Sequence, residues 1–335
     1  MARAAPAAAG GRSRPRFAAG ITGAADWPTL REACRAAEDG GFDAFARPDH
    51  LLAEGVLAPP GAPVLECFTT LAALVPTTTR IRFLQTVTCN SFRNPALLAK
   101  MIATLDVISG GRLELGIGAG WLRAEYEAYG YDFPPMPVRL QQLGEALRVV
   151  KLLWTGKRVD HDGPHYRLRG AVCSPRPVQQ PRPPIMVGGG GDGLLRIAAI
   201  EADVVNIVPP ASHGAADPAA VRGFTLDRFR AKGARVRALA AEAGRRVALS
   251  AIFFVQLADS DAEARALAGA VAARYGFSPA EAERFPLTLI GTAPALRERL
   301  AERIALLDLD TVVLLFVSPT ALARFAAGVL TAVRA

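Results

Sequence analysis

The chain has 335 residues, 51% hydrophobic and 21% charged, which is enough apolar side chain for a large buried core and excludes disorder as the dominant state. No uninterrupted apolar run approaches the roughly 20 residues a membrane-spanning helix requires, so no membrane partner is expected. A net charge of +8 and a sequence pI of about 9.8 suit an anionic ligand, but the arginines are scattered through helical patterns without interleaved aromatics, so no nucleic-acid partner is expected either.

Residues 1–15 carry arginine and alanine without the apolar segment of a secretory signal, and read as a disordered N-terminal extension before a single domain at 16–335. "PRFAAGI" (15–21) is a first strand, and "WPTLREACRAAEDGGF" a helix with Pro28 in its first turn and a glycine stop. "DAFARP" (43–48) is a second strand; a helix containing "LECFTTLAALV" leads to a third, "RIRFLQTVT" (80–88). "NPALLAKMIATLDVISGG" is a helix ended by two glycines, followed by strand four, "RLELGIGAG" (112–120). The helix "VRLQQLGEALRVVKLLWTG" and a proline-rich insertion at 157–184 separate it from strand five, "PIMVGGGG" (184–191). Strands six to eight are "ADVVNIV" (202–208), "VALSAIFFVQL" (247–257) and "TVVLLFV" (311–317). Eight runs that are apolar on both faces and alternate with helices predict an α/β fold, a (β/α)8 TIM barrel, over the competing doubly wound sheet.

Such a barrel builds its site from the C-terminal ends of its strands, which directs attention to "RPDHLL" (47–52), "TVTCN" (86–90), "GAGWLRAEY" (118–126) and "VGGGGDG" (187–193). Consecutive glycines let the backbone approach a ligand, and a helix starting near Asp192 adds a positive N-terminal end, a combination that suits phosphate. A ligand-free glycine turn is the alternative. Gly118, Ala119 and Gly120 leave space above strand four, or relieve close packing. Thr86, Thr88 and Asn90 offer hydroxyls and an amide at the end of strand three. An imidazole is a side chain suited to proton transfer, and the adjacent Asp49 could orient His50 for it; the alternative is a structural histidine with Asp49 as a helix cap. His161 and His165 have a metal-like spacing, but Gly163 and Pro164 break any helix that would align them, and no metal is expected. Cys34, Cys67, Cys89 and Cys173 show no paired spacing, which points to a reducing cytoplasm.

The blocks "EDGGFDAFARPDH", "NPALLAKMIATLDVISGGRLELGIGAGWLRAEYEAYG", "SPRPVQQPRPPIMVGGGG" and "AAIEADVVNIV" together resemble the bacterial luciferase-like flavin and deazaflavin oxidoreductases. The likeness runs from about residue 15 to the last strand and is densest between 80 and 208. "GGGGDGLL", "SFRNPALLAK" and "LIGT" (289–292) are most similar to the actinobacterial, coenzyme F420-dependent group. The resemblance implies a luciferase-like barrel with an isoalloxazine-like ring at its mouth, Asp49 and His50 beside that ring, and a bulge at Thr86-Val87, before Thr88, that carries a non-prolyl cis peptide. Gly118, Ala119 and Gly120 match the small residues along the ring, and Gly188, Gly189, Gly190 and Gly191 those near the cofactor phosphate. It implies hydride transfer between F420 and a small organic molecule, with His50 as proton donor or polarising group. The alternative is an FMN-dependent monooxygenase using oxygen. A homodimer, and a separate flavin or F420 reductase, belong to the same expectation. Three positions depart from the pattern. Trp121 stands where the sugar-phosphate dehydrogenases of this superfamily have glutamate, Ala124 where they have asparagine, and Arg47 replaces an aliphatic residue. Sugar-phosphate oxidation is therefore not expected, and Trp121 suggests an apolar or planar substrate.

Overall fold

A strand covered by helices on one side and by barrel interior on the other has no wet face, so its sequence is apolar throughout. The computed structural model, which describes residues 14–22, 24–53, 61–211, 214–215 and 218–334, turns these runs into a closed parallel barrel. Its strands are β1 (Arg16–Ile21), β2 (Ala44–Arg47), β3 (Arg82–Gln85) with its short continuation β4 (Thr88–Cys89), and β5 (Leu113–Gly118). A hairpin, β6 (Val159–Asp162) and β7 (Arg167–Ala171), precedes β8 (Ile185–Gly189), β9 (Val204–Ile207), β10 (Ala248–Leu257), β11 (Thr288–Gly291) and β12 (Thr311–Phe316). The parallel order β1-β2-β3-β5-β8-β9-β10-β12 closes where β12 pairs with β1, Ala19 opposite Leu314. Residues 1–13 of the expected extension lie outside the described residues.

All eight expected strands are present, with three additions. The third is interrupted at a cis Thr86–Val87 peptide, so that β3 pairs with the start of β5 and β4 with its end. The proline-rich insertion contains the antiparallel β6–β7 hairpin. β11, which lies inside a stretch expected to be helical, pairs with Phe254–Leu257, the far half of the unusually long β10.

The helices begin and end where local chemistry dictates. Asp26 accepts a hydrogen bond from Thr29 N ahead of the helix Trp27–Asp39, and Asn94 does so from Ala96 N ahead of Pro95–Ser109, each with proline in the first turn. Gly110, at φ 68°, closes the second of these in the left-handed conformation. The main core lies between strands and helices, and includes Phe17, Phe45, Phe83, Leu115 and Val187. Inside the barrel the side chains are smaller: Ala18, Ala44, Ala46, Val313 and Leu315 form one cluster, and Leu84, Met186 and Val204 another. The N-terminal end of the interior is closed by an ionic group, Glu114 Oε1 lying 2.5 Å from both Arg16 Nη2 and Arg82 Nε. The opposite end is open.

Candidate active site

Alternation along each strand decides which side chains reach the open end. On β5 and β8 the positions near that end are glycines. A Cβ on Gly118 would lie 2.9 Å from Val87 Cγ2, and one on Gly188 2.8 Å from Val87 Cγ1, so both glycines make room for the bulged Val87. At Gly116 the approach is closer still, a Cβ meeting the Gln85 carbonyl oxygen at 1.8 Å, while the Gly116 N–H donates to Gln85 Oε1 at 3.2 Å. The result is a cavity of about 360 Å³ at the C-terminal mouth.

The residues that the resemblance places around the cofactor and substrate line this cavity: Asp49 and His50 after β2, Thr86, Val87 and Thr88 at the bulge, Gly118, Ala119, Gly120 and Trp121 after β5, and Gly188 to Gly191 after β8; Asn90 does not, its Nδ2 donating instead to Tyr166 Oη at 3.1 Å. The helix Met136–Trp154 adds Met136 and Leu140, β9 adds Asn206, and β10 adds Ile252.

His50 sits against a carboxylate, but not the adjacent one. Its Nδ1 is 3.0 Å from both oxygens of Glu125, which also accepts the backbone N–H groups of Leu51 at 2.5 Å and Leu52 at 3.2 Å. Glu125 is buried on the short helix Arg123–Ala128 and fixes both the ring and the chain beyond it. With Nδ1 donating to Glu125, Nε2 is the nitrogen left to the cavity. Trp121 stands edge-on to the imidazole, ring centres 5.8 Å apart.

Asp49 therefore does not orient His50 as the sequence suggested. Its carboxylate takes a fork from Arg93, 2.7 and 3.0 Å, and the Cys89 N–H at 3.1 Å. Burial pushes its pKa up from the usual carboxylate range, against the pull of Arg93. Arg93 also holds Glu66 at 2.6 Å and covers the Phe68 ring, so Asp49 ties β2, β4 and the helix Cys67–Leu74 together beneath the site.

Gly120 adopts φ 76° and packs on two polar groups: a Cβ there would lie 1.8 Å from Tyr126 Oη and 2.7 Å from Cys89 Sγ. Arg139, buried, donates to the Gly120 carbonyl and to Pro134 O at 3.0 Å. Cys89 Sγ is 3.1 Å from Tyr126 Oη. Burial raises both groups, the Cys89 thiol to about 11, so each is neutral at physiological pH.

Across the cavity, a Cβ on Gly190 would lie 1.9 Å from Val208 O, and one on Gly193 2.8 Å from Leu140 Cδ1, whereas Gly191 faces open space. Gly191 caps the helix Asp192–Glu201. Two acceptors on the cavity wall have no partner, Asn206 Oδ1 and Thr88 Oγ1, both fully buried. Buried polar atoms are rarely left so.

Sequence reasoning missed Glu125, Tyr126 and Asn206. A signal existed for Asn206, a lone amide in the otherwise apolar "VVNIV"; nothing marked Glu125. The two histidines of the insertion point to different partners, His161 Nε2 to Glu145 at 2.9 Å and His165 Nε2 to Gln141 at 3.3 Å. No metal-ligand cluster occurs among the described residues. Arg47 is also absent from the cavity. It shares the face of Phe45, toward the helices, and is buried with Nε and Nη1 unpaired.

Residues 12–308 match the profile of a family described as luciferase-like monooxygenase. The F420-dependent glucose-6-phosphate dehydrogenase of Microbacterium testaceum (strain StLB037) is 35% identical over 166 residues, 48% of this chain and 47% of that protein. The FMNH(2)-dependent dimethylsulfone monooxygenase of Pseudomonas putida is 28% identical over 181 residues, 54% and 46% respectively. The match thus spans about half the length of these curated relatives. The crystal structure of monooxygenase RslO1 from Streptomyces bottropensis superposes with a TM-score of 0.78 at 22% identity, covering 95% of this chain and 99% of that one. At that identity it is the fold that is shared.

Proposed function

The chain belongs to the luciferase-like monooxygenase family, and from that premise we propose that it is a coenzyme F420-dependent oxidoreductase moving a hydride between the deazaflavin and a small organic molecule. The observation that carries this reading is the His50–Glu125 pair on the wall of a cavity that also presents unpaired acceptors.

The residues present fit such a cofactor. Gly118 and Gly188 clear a flat surface over Val87 where any Cβ would intrude. Asn206 Oδ1 and Thr88 Oγ1 are acceptors without donors, and the pyrimidine-type edge of a deazaflavin or flavin carries the complementary N–H. Gly190, Gly191 and the start of the helix Asp192–Glu201 would hold the phosphate. When bound, the cofactor supplies the hydride chemistry. The chain's own groups do the rest. His50 holds a proton at Nε2 for the substrate oxygen, nitrogen or carbon, Glu125 keeps the ring in register, and Trp121 walls the site and excludes water. Reduction of an activated C=C, C=N or C=O bond is the reaction class that uses this arrangement, through proximity and one positioned proton. Trp121 and Ala124, in place of the glutamate and asparagine of sugar-phosphate dehydrogenases, argue against glucose 6-phosphate as the substrate.

The second reading, a reduced-FMN monooxygenase, is favoured by the similarity to the dimethylsulfone enzyme. Under either reading a homodimer, a separate reductase and a cytoplasmic site of action are expected; the four buried, unbridged cysteines support the last. Fluorescence titration with oxidised deazaflavin and with FMN separates the readings. Tight deazaflavin binding and oxygen-independent turnover are expected. FMN binding alone, with oxygen consumption in the presence of reduced FMN, would overturn the first reading.

A further inference from the structure

The mouth of the cavity does not end at the glycine turn. Pro210 lines both the cavity and a second, more open groove of about 710 Å³, whose walls come from Asp192, Gly223, Phe224 and the helix Leu226–Glu242. Three cations of that helix, Arg228, Lys232 and Arg235, line the groove. At spacings of four and three they share one helix face, over a length of roughly 10 Å. Lys232 Nζ is 3.2 Å from Asp192 Oδ1, the acidic residue of the groove lining. Arg228 and Arg235 are exposed and have no side-chain hydrogen-bond or ion-pair partner among the described residues. Two unpaired arginines beside a phosphate-type turn are a charge pattern in search of an anion.

We infer that this groove seats the oligocarboxylate tail of a deazaflavin, leaving the cavity at Gly191 and running past Pro210 along Arg228, Lys232 and Arg235. The inference rests on the cofactor proposed above and deepens it, because FMN ends at its phosphate and has nothing to place there. The groove lies outside the reacting centre, so it acts on affinity and cofactor choice. Its cations are solvated, so each contributes a modest, salt-sensitive share of binding. Asp192 opposes an anion locally and is offset by Lys232; Arg228 and Arg235 carry the net attraction.

The test is fluorescence titration of the whole protein with deazaflavins bearing no glutamate, one and several glutamates, at low and high salt, for the natural chain and the R228S/R235S variant. Circular dichroism checks that the variant is folded. Affinity of the natural chain should rise with glutamate number at low salt. The double variant should lose roughly 5- to 20-fold for the longest tail, bind the glutamate-free form unchanged, and the difference should shrink at high salt. Tight binding independent of glutamate number, or a variant that retains the dependence, overturns the groove assignment alone. Failure of every deazaflavin beside tight FMN binding overturns the cofactor reading and the groove with it.

Discussion

The two ends of the barrel interior are built on opposite principles. At the N-terminal end Glu114 is buried and answered twice. Burial pushes its pKa up, but Arg16 and then Arg82 outweigh this and hold it below the usual carboxylate range. At the C-terminal end the wall is glycine, a histidine is held by one nitrogen only, and Asn206 Oδ1 and Thr88 Oγ1 are left without partners. One end closes around a buried, doubly paired carboxylate; the other is lined by glycine and stays open. A compensated buried charge thus marks the end that holds the fold, and a glycine-lined wall with unpartnered polar atoms the end that carries the cavity.

That contrast predicts which substitutions separate activity from stability. The largest effect belongs to the mouth: His50→Ala should lower turnover with deazaflavin by about 10²- to 10⁴-fold and leave the unfolding midpoint nearly unchanged. Glu125→Gln should cost less, about tenfold, because the amide still fills the space and its oxygen can accept from Nδ1, but the negative charge beside the ring is gone. Its pH–rate profile should shift, which a purely structural role would not produce. Equal losses of activity and stability in His50→Ala would erase the distinction between the two ends.

The closed end should respond the other way. Glu114→Ala leaves two arginines facing each other and should cost about 2–3 kcal/mol of stability by chemical denaturation, below the 3–5 typical of a fully buried pair because both arginines reach solvent. A carboxylate whose folded pKa is depressed contributes stability above its unfolded value, lost as pH falls through the folded one. The natural chain and Glu114→Ala should therefore converge in stability as the medium is acidified below about pH 4. Cofactor affinity should be untouched.

How far the sequence reaches follows the same division. Strand positions were legible because burial on both faces leaves long apolar runs, and the glycine wall because glycine clusters advertise close approach. What escaped was anything set by pairing across the chain: His50 and Glu125 are 75 residues apart, and Asp49 and Arg93 are 44 apart. From adjacency alone Asp49 is the natural partner of His50, yet Arg93 claims it. β11 escaped because "TLIG" is too short to stand out between two helical patterns, and the β6–β7 hairpin because its strands are largely exposed and polar. Arg47 was legible as an oddity but not as what it is, a guanidinium packed against the helix layer rather than at the mouth.

Arg47 sharpens the comparison, since it is incompletely bonded yet lies outside the site. Burial lowers its pKa, and Nε and Nη1 have no partner. Arg47→Met keeps the length and removes the unsatisfied donors, and should raise stability by about 1–2 kcal/mol with cofactor binding unchanged. A loss of cofactor affinity would instead tie Arg47 to the mouth and blur the line between the two regions.

The smallest effect concerns Cys89, the thiol of the cavity wall. Burial raises it from 9.0 to about 11, although the Tyr126 hydroxyl 3.1 Å away pulls in the opposite direction. The thiolate is the reactive form, so at pH 8 only about one molecule in a thousand presents it. Alkylation of the folded protein by iodoacetamide should therefore leave Cys89 unmodified from pH 7 to 9, as read by peptide mass spectrometry, while the unfolded chain reacts readily. The linkage has a definite sign: a thiol raised on folding contributes stability that is complete below its unfolded pKa and is lost as pH climbs from about 9 toward about 11. Cys89→Ser should flatten that part of the alkaline stability curve without changing stability near neutrality by more than a few tenths of a kcal/mol beyond its packing cost. Rapid labelling of Cys89 at pH 8 would mean that the wall of the mouth opens to solvent, and that its apolar side is less closed than the packing of Gly120, Tyr126 and Arg139 around it implies.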